Sequence, residues 1–81
     1  MKTYTGVRPA TEREIQAYEK VEKRLTDEEI AIIYDELYSD EKAFDELLEN
    51  DKVINKKVKE IIKTHKITQR ELKDWYFTEV D

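Results

Sequence analysis

Eleven carboxylates lie within residues 26–51: Asp27, Glu28, Glu29, Asp35, Glu36, Asp40, Glu41, Asp45, Glu46, Glu49 and Asp51. The only base among them is Lys42, so the segment carries a net charge of −10. Such a cluster can ligate a metal, move protons, or meet a positively charged surface. The spacing argues against metal. A calcium loop of the EF-hand type needs Gly at its sixth position and oxygen ligands at alternating positions. Residues 40–51 contain no Gly and put Phe44 and Leu47 inside the window. A dinuclear site in a helical bundle needs Glu-x-x-His pairs, and His65 is the only histidine. Neither a metal nor a cofactor is expected. Catalysis has as little to draw on: the chain has no Cys nucleophile, no Gly-rich phosphate loop and no second His. Its one serine, Ser39, stands at a helix-cap position, so an enzyme is not expected.

Recognition of a basic surface is the chemistry that remains. A field of one sign attracts surfaces of the other. An array of carboxylates imitates the phosphates of a nucleic acid, and it binds a basic cleft by the counterion release that drives DNA binding, with roles exchanged. The pairs Asp35-Glu36, Asp40-Glu41 and Asp45-Glu46 recur every five residues. On one unbroken helix each pair would be turned by about 140° from the last, so a break near Ser39 is required to bring them to one side. The helix dipole favours acids in a first turn, which accounts for Asp27–Glu29 and Asp40–Glu41 without a partner. It does not account for the scarcity of balancing Lys, because solvated helices ordinarily mix signs for i,i+4 pairing. The residues expected to meet a partner are Asp27, Glu28, Asp35, Glu36, Asp40, Glu41, Asp45, Glu46 and Glu49. Tyr38, an aromatic among acids, is the expected contact anchor.

The flanks have the opposite sign, with residues 1–25 at +2 and residues 52–73 at +6. Lys52, Lys56, Lys59, Lys63, Lys66, Arg70 and Lys73 alternate spacings of four and three, and through Lys63 they form one helical stripe. That stripe can contact phosphates, an acidic protein, or the chain's own acidic segment. The run Glu60-Ile61-Ile62-Lys63-Thr64-His65-Lys66-Ile67-Thr68-Gln69-Arg70-Glu71-Leu72 resembles the opening of helix-turn-helix DNA-binding domains over 13 of 81 residues. The resemblance implies DNA binding, with Thr68–Phe77 as recognition helix and Gln69, Arg70 and Lys73 facing the major groove. Lys56, Lys59, Lys63 and Lys66 would then contact phosphates. In the family's common arrangement a further helix follows, and the sequence stops at Asp81 before it.

The elements that position these groups read as helices. Thr11-x-x-Glu14, Thr26-x-x-Glu29 and Thr68-x-x-Glu71 are capping-box patterns. They predict helices over 11–25, 26–38 and 68–77. Ser39-Asp40 and Asn50-Asp51 predict two more, to about Glu49 and over about 52–65. The stripes give an expected core of Ile15, Tyr18, Val21, Leu25, Ile30, Ile33, Tyr34, Leu37, Phe44, Leu47, Leu48, Ile54, Val58, Ile61, Ile62, Leu72 and Trp75. The second helix is apolar over more than half its girth, which makes it the expected core centre; its Ile30–Tyr34 face would alternatively serve a homodimer. Residues 1–9 read as an extended arm, since Pro9 disfavours helix at Arg8, and residues 78–81 as a frayed end.

The fold class expected is all-α: a single-domain bundle of four to five short helices over 1–81. With 43% charged residues, one Gly, one Pro and no Cys, a disulfide scaffold is excluded and a many-turned β fold is disfavoured. No apolar run approaches the ~20 residues of a membrane span, and the first residues lack the apolar core of a signal peptide, so the expected location is cytoplasmic. The expected function is a non-enzymatic inhibitor or regulator that occupies a basic, nucleic-acid-binding surface of a partner protein, of the type carried by phages and mobile elements. The alternative is a DNA-binding transcriptional regulator using residues 52–77.

Overall fold

The three capping boxes form as the sequence dictates. In the computed structural model, which describes residues 2–80, Thr11, Thr26 and Thr68 each accept a hydrogen bond from the backbone N–H of the glutamate three residues on. Each glutamate in turn accepts from the threonine's own N–H. They start α1 (Glu12–Arg24), α2 (Asp27–Ser39) and α5 (Gln69–Phe77). Between them lie α3 (Glu41–Asn50) and α4 (Lys56–Thr64). Ser39 closes α2 rather than opening α3: its hydroxyl donates to the Asp35 carbonyl at 2.7 Å, and the Asp40 carboxylate accepts from Ala43 N–H at 3.1 Å.

The chain is mostly helical but not purely so. Lys2–Tyr4 (β1) and Arg8–Pro9 (β2) join Thr78–Val80 (β3) in an antiparallel sheet of order β2-β1-β3. The extended arm packs through Tyr4 as a strand, and the expected frayed end is corrected: Thr3 pairs with Glu79 and Tyr4 with Thr78, while Met1 and Asp81 lie outside the described residues. The driving contact is apolar. Tyr4 is buried on the core side with its ring 6.2 Å from Phe77, and Thr5 N–H donates to the Phe77 carbonyl at 2.7 Å. Thr5 and Gly6 take positive φ in the β1–β2 turn. A Cβ on Gly6 would stand 2.9 Å from Glu79 Oε2, so the missing side chain leaves space for that carboxylate.

The fourth helix starts later than its stripe predicts. Asp51, expected with Asn50 to start the fourth helix, instead caps the C-terminal end of α3 in the left-handed region (φ 53°), and Asn55 caps α4 by accepting from Val58 N–H at 3.1 Å. The residues between, Lys52–Asn55, are not helical, because Val53 is drawn fully into the core and leaves the helical spacing.

The core centres on the contact of α1 with α5, where Trp75 is the largest fully buried side chain. The wide apolar face of α2 contributes Ile33 and Leu37, both fully buried, but Tyr34 is 45% exposed and Ala31 is exposed. Ile15 is only half-buried, whereas Ala17, Ala43, Ile67 and Phe77, outside the expected core, are buried. The apolar area these side chains remove from water, at roughly 25 cal/mol per Å², is what holds five short helices together, since none of this length is stable alone. No helix among the described residues is long and apolar enough to cross a membrane.

Candidate functional site

The acidic segment divides into carboxylates that serve the fold and carboxylates that do not. Asp40 caps α3. Glu36 accepts from Lys57 Nζ at 3.1 Å and from Asn55 Nδ2 at 3.2 Å, and these hydrogen bonds lower its pKa. Glu29 closes its capping box and meets His65 Nε2 at 2.9 Å; the Thr26 N–H, then His65, lower its pKa. Glu46 accepts from Asn50 Nδ2 at 3.3 Å. Asp51 takes the Lys73 ammonium directly, with Arg70 at 3.5 Å, and Lys73 chiefly lowers its pKa.

Asp27, Glu28, Asp35, Glu41, Asp45 and Glu49 remain. All six are exposed, and none makes a side-chain hydrogen bond or ion pair with another described residue. Their spacing sorts them into rows. On α2 the exposed positions 27, 28, 31, 34, 35 and 38 follow the outer face; on α3, Glu41, Asp45 and Glu49 stand one turn apart, beside Lys42. Asp40 both ends α2 and caps α3, so the helix breaks next to Ser39. Tyr38 sits at the end of the α2 row, 89% exposed.

The basic residues also divide. Lys56, Lys59, Lys63 and Lys66 are exposed and hold no described partner. Those on α5 are turned to the fold. Gln69 Oε1 accepts from Val53 N–H at 2.6 Å, and Arg70 and Lys73 meet Asp51. The two charged segments therefore pair in part, through Glu36–Lys57 and Asp51 with Lys73 and Arg70, with the Glu29–His65 hydrogen bond joining them as well. The Ile30–Tyr34 face is largely spent inside: Ile33 is buried, Ile30 packs on the core, and the Tyr34 ring lies 5.3 Å from Trp75 and 5.5 Å from Tyr76.

Two further features carry no plain sequence signal. The first is a buried polar cluster at the sheet end of α1 and α5. Glu14, 2% exposed, receives Arg8 at 2.9 and 2.7 Å, and the Arg8 hydrogen bonds hold its carboxyl down to about 2. Asp74, also 2% exposed, lies 3.3 Å from Arg13 Nε, and burial pushes its carboxyl up. Burial, aided by these two acids, pushes the Tyr4 phenol to about 12. Glu14 announced itself only as a cap, so its second role was hidden. The second feature is an open hollow of about 420 Å³ walled by Tyr34, Phe44, Tyr76 and Phe77, with Thr5, Leu48 and Glu79 at its margins. A neighbouring hollow shares Tyr34, Tyr76 and Glu79 with it. Among the described residues no group of three or more His, Asp or Glu side chains is arranged to hold a metal ion.

Comparison of the chain with family models, curated proteins and solved structures gave no match.

Proposed function

We propose that the protein is a non-enzymatic interaction module that occupies a basic, nucleic-acid-binding surface of a partner protein and so inhibits or regulates it. The observation that carries this reading is Tyr38, 89% exposed at the junction of two helices whose outer rows are acidic and without internal partners. A tyrosine so placed adds nothing to the fold, yet burying it in a partner gains roughly 1.5–3 kcal/mol from its apolar body, and tyrosine is a frequent interface anchor. The six unengaged carboxylates supply the field that steers a basic surface to it and excludes acidic ones.

The DNA-binding reading retains Lys56, Lys59, Lys63 and Lys66, but its proposed base readers are tied to the fold at Val53 and Asp51. The test is anisotropy of a labelled lysine-rich peptide against the wild-type protein and a variant carrying Asp35→Asn, Glu41→Gln, Asp45→Asn and Glu49→Gln. These positions are chosen because no capping or pairing is lost with them. Affinity should weaken in the variant, and its salt dependence should flatten. Equal affinity and equal salt dependence in both proteins would remove the acidic-surface mechanism.

A further inference from the structure

The hollow beside Glu79 is mostly aromatic, and Glu79 is the one charged residue among those that line it. Tyr34 and Tyr76 stand 5.5 Å apart with their planes inclined by 39°, and Phe44 meets Tyr76 edge-on at 6.1 Å. Among the described residues no Lys or Arg lines either hollow, the nearest cation being Lys2, 5.8 Å above the Tyr18 ring at the margin of the second; Glu79 lines both and has no ion-pair partner among the described residues. An aromatic face attracts a cation through its ring quadrupole, and a carboxylate at its edge adds a charge-assisted hydrogen bond. We propose that this hollow seats an arginine side chain of the basic partner, its guanidinium against Tyr34 and Tyr76 and its N–H groups on the Glu79 carboxylate.

The planar, weakly hydrated guanidinium suits this arrangement better than an ammonium, because it stacks on rings and grips a carboxylate with two parallel N–H groups. A second copy of this chain does not supply the group, for its four arginines are already engaged. Arg8 holds Glu14, Arg13 meets Asp74, Arg24 donates to the His65 and Lys66 carbonyls, and Arg70 meets Asp51. Gly6 contributes by leaving room for the Glu79 carboxylate beside the turn. The inference rests on the basic-partner reading and adds its side-chain specificity.

Two labelled peptides, one arginine-rich and one with lysine at every arginine position, are titrated by anisotropy against wild type, Glu79→Gln, Tyr34→Leu and the four-site acidic variant. Wild type should prefer the arginine peptide roughly tenfold. Glu79→Gln and Tyr34→Leu should each erase that preference while leaving the lysine-peptide affinity in place. Because Glu79 is exposed on an edge strand, its variant tests the site even where the tyrosine change disturbs packing. Equal wild-type affinity for both peptides, or a preference that survives Glu79→Gln and Tyr34→Leu, overturns the hollow's role. If that equal affinity also falls in the acidic variant, the broader reading stands alone. If neither peptide binds wild type, both fall.

Discussion

Replacing Gln69 with alanine removes the acceptor for the Val53 N–H, a bond of 2.6 Å to a residue with no exposed surface. Leaving a buried donor unmade costs about 1–3 kcal/mol. Gln69 itself is exposed, so water can approach the vacated position, which places the cost in the lower half of that range, about 1–2 kcal/mol. For a domain of this size that corresponds to a fall in Tm of roughly 4–16 °C. At a urea slope of about 1 kcal/mol/M, the unfolding midpoint moves down by about 1–2 M. The assay is urea unfolding followed by helical circular dichroism, comparing wild type, Gln69→Ala and Gln69→Glu. Gln69→Glu retains an acceptor oxygen at the same reach and should stay close to wild type. An unchanged midpoint in Gln69→Ala would refute the reasoning: the Val53 bond would then contribute nothing, and Gln69 would be free for the base-reading role that the helix-turn-helix resemblance implies.

Three further outcomes follow from the same structure. Glu14 ionises near pH 2 in the folded protein against an ordinary 4.5, so its contribution is full above pH 4.5 and is lost as pH falls toward 2; Glu14→Gln should flatten the acid limb of a stability–pH profile in that window. Asp74 is shifted the other way by burial, so its ionisation opposes folding as pH rises through its folded pKa, and Asp74→Asn should show its greatest relative gain over wild type at neutral pH rather than in acid. Tyr38→Ala should leave the free energy of unfolding within about 0.5 kcal/mol of wild type, as expected of an exposed side chain, while weakening peptide binding; a large loss of stability would show that Tyr38 serves the fold.

Local chemistry was legible and long-range chemistry was not. The boxes at Thr11, Thr26 and Thr68 are contained within four residues, so pattern and structure coincide. The start of α4 is set by tertiary burial of Val53 and its bond to Gln69, which overrides a helical spacing running back through Lys52. The sheet escaped because its strands have two or three residues each and β3 lies at the far end of the chain from β1; no period is readable over so few positions. The 89% exposure of Tyr38 was not legible either, because its spacing places it in the apolar stripe with Ile30, Ile33, Tyr34 and Leu37, as a partly buried helix-end residue. Nor was it legible which acids would be unengaged, because the partners that occupy Glu29, Glu36 and Asp51 come from α4, its C-terminal cap His65, α5 and the loop before α4. Tyr34 looked like core by its spacing; instead it leans on Trp75 and Tyr76 with its outer face open, which creates the hollow beside Glu79.

The most direct test sets the acidic surface against a nucleic acid. A labelled DNA duplex is first bound by an arginine-rich peptide, and the protein is then titrated in at low salt with anisotropy as the readout. A protein whose carboxylate rows imitate phosphates removes peptide from the duplex, so the expected result is a fall in anisotropy to the value of bare DNA. A rise would contradict this, because it would mean that Lys56, Lys59, Lys63 and Lys66 carry the protein onto the DNA; an unchanged value would mean that the acidic rows do not engage a basic surface.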